Sequence, residues 1–64
     1  MYKIKTTYDN KNFPKFAETP EEVINIIDKE LIVGFFEMRS LKKWFTKKDS
    51  SIFEGRQFIV ECEG

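Results

Sequence analysis

Both ends of the chain alternate, and that pattern limits the fold more than any other feature. Tyr2, Ile4, Thr6 and Tyr8 interleave with Lys3, Lys5 and Thr7. A period of two marks a strand with one face in a core and the other in water. Phe58, Val60 and Cys62 interleave in the same way with Gln57, Ile59, Glu61 and Glu63. The outer face of the first strand carries Lys3 and Lys5, and that of the last carries Glu61 and Glu63. Running the two antiparallel places Lys3 near Glu61 or Glu63, each opposite pair adding roughly 0.2–1 kcal/mol. The first and last strands are therefore expected to be neighbours.

The segment between them switches to helical spacing. Asp9-Asn10-Lys11-Asn12 reads as a turn, since Asn and Asp tolerate left-handed backbone and bond to their own main chain. Phe13 to Ala17 then returns as a short edge strand, because Pro14 cannot donate to a ladder. Thr19-Pro20-Glu21-Glu22 is the strongest local signal. Thr19 caps a helix, Pro20 suits its first position and Glu22 completes a capping box. Val23, Ile24, Ile26, Ile27 and Leu31 fall within an arc of about 160° on the helix that follows, which ends near Glu30.

A second helix begins at Met38 and runs to about Lys48. Met38, Leu41 and Phe45 share one face. Arg39, Lys42, Lys43 and Lys47 occupy an arc of about 140° on the other, and Trp44 sits at the boundary. Extending this helix backwards puts Phe35 and Phe36 well off its apolar stripe, and Gly34 weakens a helix interior by about 1 kcal/mol. Ile32 to Phe36 therefore reads as a buried short strand or an irregular link. Asp49-Ser50-Ser51 is loop chemistry and Glu54-Gly55 marks a turn. The expected fold is α+β, a small antiparallel sheet with its N- and C-terminal strands adjacent, packed against two helices. With 64 residues there is room for one domain, residues 1–64. So small a domain buries only about 60% of its unfolded surface. Its seven Phe residues suggest a core built from a few large rings.

The residues that usually carry chemistry are scarce. There is no histidine, which removes the commonest general base and the commonest metal ligand. Cys62 is the single cysteine, too few for a tetrahedral zinc site or a disulfide framework. Its parity with Phe58 and Val60 reads as a buried structural thiol. Three glycines at scattered positions make no phosphate-cradling loop. Glu61 and Glu63 read as a solvated strand face opposite lysines, not as paired acid and base, and Glu21 and Glu22 are explained by capping. No cofactor and no enzyme activity are expected. The N-terminus lacks the apolar run of a signal peptide. Nothing approaches the roughly 20 apolar residues of a membrane span. The expected compartment is the cytoplasm, with no membrane partner.

What remains is surface. The chain balances eleven basic against eleven acidic residues, unlike a general phosphate-backbone binder. Its one local asymmetry is the basic stripe of Arg39, Lys42, Lys43 and Lys47, with Lys48 nearby. The aromatic set Phe35, Phe36, Trp44 and Phe45 adjoins it and reads either as core or as an exposed anchor patch, since Trp and Arg are favoured at interface hot spots. The function expected by elimination is a small non-enzymatic binding protein that occupies a surface of a partner macromolecule, in the manner of a phage- or mobile-element-encoded inhibitor of a host protein. The expected contact residues are Phe35, Phe36, Arg39, Lys42, Lys43, Trp44 and Lys47, and the expected partner is a protein. A nucleic-acid-binding regulator using the basic helix over residues 39–48 is the alternative, with Trp44 stacking on a base. A homodimer formed through an unpaired edge strand is a third reading.

Overall fold

The computed structural model describes residues 1–6, 8, 11–47 and 50–63. The elements follow in the order β1 (Tyr2–Thr6), β2 (Lys15–Ala17), α1 (Pro20–Glu30), α2 (Phe35–Lys47), β3 (Ile52–Glu54) and β4 (Phe58–Cys62). The four strands form one antiparallel sheet in the order β2-β1-β4-β3. The first and last long strands therefore lie side by side in its centre, and the fold is α+β. Lys3 stands opposite Glu61 in the register, and Ile4 opposite Val60. The ion pair itself is diagonal: Lys5 Nζ donates to Glu61 Oε2 at 2.6 Å. That hydrogen bond is the main reason the Glu61 carboxyl titrates below its usual value; burial opposes it, and the charges of Lys5 and then Lys3 each lower it by less.

The pleat sorts the strand residues as the alternation requires. Tyr2, Ile4, Ala17, Phe58 and Val60 are buried, and Val23 and Ile27 of α1 and Leu41 of α2 close over them. Ile4, Val23, Ile27, Leu41 and Val60 have no accessible surface at all. The centre of the core is thus aliphatic, and the rings divide. Phe13 and Phe58 are buried, Phe45 and Phe53 are half-buried, and Phe16, Phe35 and Phe36 are exposed. Tyr2, Phe13 and Phe58 put three large rings into the buried core around these aliphatic side chains, and Trp44, Phe45 and Phe53 pack against it. Cys62 stands on the core face but is half-buried, where full burial was expected.

The start of α1 forms as its sequence dictates. Thr19 Oγ1 accepts from the Glu22 N–H at 3.2 Å, and Pro20 occupies the first helical position. The reciprocal arm of the box is shifted by one residue, because the Glu22 carboxylate accepts from the Glu18 N–H at 3.5 Å. At the other end the Leu31 N–H donates to the Ile27 carbonyl.

Further sequence expectations change. β2 covers only Lys15–Ala17, and Phe13 and Pro14 precede it outside the ladder. β1 stops at Thr6, and Tyr8 is exposed. β3 appears where only loop and turn were expected. It is three residues long and pairs Ile52, Phe53 and Glu54 with Glu61, Val60 and Ile59, too short for alternation to be counted. Most important, Phe35 and Phe36 are neither a buried strand nor a link. They open α2, whose first hydrogen bond runs from the Met38 N–H to the Gly34 carbonyl, and only Ile32–Gly34 is irregular. The expected end of α2 at Lys48, the loop residue Asp49, the turn residues Asp9 and Asn10, and Thr7 lie outside the described residues. Among the described residues, no helix is long and apolar enough to cross a membrane.

Candidate functional site

On α2, at 100° per residue, Glu37, Met38, Leu41, Trp44 and Phe45 project toward the sheet. All five are buried or half-buried. Phe35, Phe36, Arg39, Lys42, Lys43 and Lys47 project together on the far side, and all six are exposed. Phe35 and Phe36 thus lie within the angular range of the basic residues, one turn nearer the N-terminus. Their rings are 74% and 78% exposed. They touch each other edge to face, with centroids 5.7 Å apart. Ile32, three residues before Phe35, is 93% exposed. These three side chains leave on the order of 400 Å² of apolar surface in water, taking ~200 Å² for a large ring. Phe35 and Phe36, which touch, account for about 300 Å² of it, comparable with the largest patch on a typical monomer, on a chain whose whole accessible surface is 4695 Å².

Trp44 is placed differently from the other expected contact residues. Its ring packs against Tyr2, Phe45 and Phe53, with centroids at 6.3, 4.9 and 6.0 Å. Its Nε1–H donates to the Ser50 carbonyl at 3.1 Å. It is half-buried, on the side of the helix away from Phe35. The aromatic set read from the sequence as one unit is therefore two: Trp44 and Phe45 join the core rim, and Phe35 and Phe36 stand in solvent.

The first turn of α2 is held by Glu37, a residue the sequence reading did not single out. Its carboxylate turns under the helix toward the β3–β4 turn, where Oε1 accepts from the Arg56 N–H at 2.6 Å and, more weakly, from the Gln57 N–H at 3.4 Å. The turn closes with the Gly55 N–H on the Phe58 carbonyl at 2.8 Å. Gly55 leaves the space into which the Glu37 carboxylate reaches. A Cβ there would run into Glu37 Oε1 and stand 3.2 Å from the Phe58 carbonyl oxygen. The pairing leaves an open groove of about 770 Å³ beside the Phe35–Phe36 pair, lined also by Phe53, Glu54 and Arg56. No sequence motif signals this contact, because it joins residues 19 apart through a backbone donor.

The electrostatics of the face follow from the same turn of Glu37. It is the one acidic residue of α2, and it faces away from Arg39, Lys42, Lys43 and Lys47. Among the described residues the ion pairs are Lys5–Glu61 and Lys15–Glu30, so those four cations have no carboxylate partner there. Among the described residues, no three His, Cys, Asp or Glu side chains come together to hold a metal ion. No family model matches the chain, and neither a curated protein nor a solved structure matches it.

Proposed function

We propose that this chain is a non-enzymatic binding protein that acts by occupying a surface of a partner protein, and that its contact surface is the outer face of α2 with Ile32. One observation carries the reading: α2 begins at Phe35 and holds two adjacent Phe rings in water on its charged side. A helix in a small domain gains by turning its rings inward, where each can bury roughly 150–250 Å². Large exposed apolar patches rimmed by polar residues mark interaction sites. Phe35 and Phe36 are the anchors, Ile32 extends the patch, and Arg39, Lys42, Lys43 and Lys47 form the charged rim. Trp44 braces the helix from behind. An inhibitor of a larger protein is one form this activity takes.

The basic rim favours nucleic acid as the second reading. The test is affinity capture from the lysate of the native cell, with and without nuclease, using the wild-type chain and its Phe35→Ala/Phe36→Ala variant. One stoichiometric protein that survives nuclease and is missing with the variant supports the proposal. Capture that nuclease abolishes, or that the variant retains, overturns it. A homodimer through an edge strand has little ladder to use, since β2 and β3 at the two edges are three residues each.

A further inference from the structure

The balanced charge of the chain conceals a separation between its two helices. α1 carries Glu21, Glu22, Asp28 and Glu30 against Lys29, and α2 carries Arg39, Lys42, Lys43 and Lys47 against Glu37. One helix is therefore at −3 and the other at +3. On α2 the outer face is more basic still, since Glu37 is turned under the helix. From Arg39 to Lys47 the cations run along about 12 Å of helix, at 1.5 Å per residue. The Phe35–Phe36 pair sits at one end of this row, on the groove lined also by Phe53, Glu54 and Arg56, and Ile32, three residues earlier in the chain, is exposed as well.

Resting on the binding reading above, we infer that the occupant of this face is an acidic segment of another protein, with bulky apolar side chains at one end and carboxylates along the rest. Its apolar residues cover Phe35 and Phe36 and enter the groove, and its carboxylates lie along Arg39, Lys42, Lys43 and Lys47. Burial at the anchors supplies most of the affinity, and the local charges set the orientation of the bound segment.

Two other occupants fit less of the surface. The acidic face of α1 in a second copy matches the charge, but its apolar residues are already buried or half-buried in its own core. It would leave Ile32, Phe35 and Phe36 uncovered. A single-stranded nucleic acid could stack on the two rings, but Ile32 presents no π-face. A chain with eleven charges of each sign also exerts no net long-range pull on a polyanion.

The experiment is selection of a displayed random peptide library, of about 16 residues, on the immobilised full chain. Enriched peptides are then synthesised and titrated against wild type, Phe36→Ser and Arg39→Glu/Lys43→Glu. Both variants alter exposed positions, and their circular dichroism and urea midpoints are compared with wild type first. The expected peptides carry a net charge of about −3 or lower, with large apolar residues at helical spacing. Each variant is expected to weaken them by at least about tenfold. Enrichment of neutral or basic peptides, or of none, overturns the acidic partner. Peptides weakened by Phe36→Ser and indifferent to the charge reversal also overturn it, while leaving the anchor reading standing. Indifference to Phe36→Ser defeats both. A labelled DNA strand of about 20 nucleotides that binds more tightly than any peptide overturns the inference in favour of nucleic acid. Self-association seen by sedimentation, and lost on the charge reversal, overturns it in favour of a second copy.

Discussion

Replacing Phe35 and Phe36 together by Ala separates a folding role from a binding role. The rings are 74% and 78% exposed, so roughly a quarter of each is covered. At ~200 Å² per ring that is on the order of 100 Å² for the pair. At about 25 cal/mol per Å² the loss is about 2.5 kcal/mol. Compactness of the unfolded chain lowers this by roughly 10–40%. Ala also outranks Phe as a helix former, which returns about 0.5 kcal/mol or less per position. The net cost is about 1 kcal/mol. In urea, with m near 1 kcal/mol per M for a chain of this size, the midpoint falls by about 1 M or less and m is unchanged. A loss of more than about 3 kcal/mol, or a changed m, would mean that the rings support the core, and the argument for their being anchors would fail.

Three further outcomes follow from the packing. Leu41→Ala removes a fully buried side chain and is expected to cost about 2–5 kcal/mol, enough to unfold much of so small a domain; a midpoint as high as that of the Phe double variant would contradict the assignment of the core. Gly55→Ala pushes the Glu37 carboxylate off the Arg56 N–H and is expected to cost about 1–2 kcal/mol, with a smaller cost when Glu37 is already Ala, so additivity in that double-mutant cycle would refute the contact. The pKa of Glu61 is lowered in the folded chain by Lys5, so its stabilising contribution is present above the usual glutamate value and is lost as pH falls through the lowered one. Lys5→Met should flatten the acid limb of stability against pH, and an unchanged limb would show that the ion pair does not contribute.

The elements that could be read from the sequence are those in which local pattern and tertiary demand agree. β1 and β4 alternate because one face of each meets the helices. α1 announces itself through Thr19, Pro20 and Glu22, whose bonding is local to its first turn. β3 escaped because three residues cannot establish a period, and what makes it a strand is its pairing with Glu61, Val60 and Ile59. The Glu37 contact escaped for a related reason: its partner is a main-chain N–H, and a backbone donor leaves no mark on the residue sequence.

The start of α2 is a different kind of miss. Phe35 and Phe36 lie off the apolar stripe, and that argued against a helix there. The helix forms all the same, and the rings go to solvent. Its first turn is held from below by Glu37 on the β3–β4 turn, and Gly55 leaves space for the carboxylate. Natural sequences keep local preference and tertiary structure consistent except where function sets a competing demand. Of the residues expected to make contact, Trp44 obeys the pattern and braces the fold. Phe35 and Phe36 break it, and the break is what singles them out. On the proposed reading, a helix that shows its rings to water and its lone carboxylate to its own hairpin leaves a face open to a partner that brings both apolar and acidic groups.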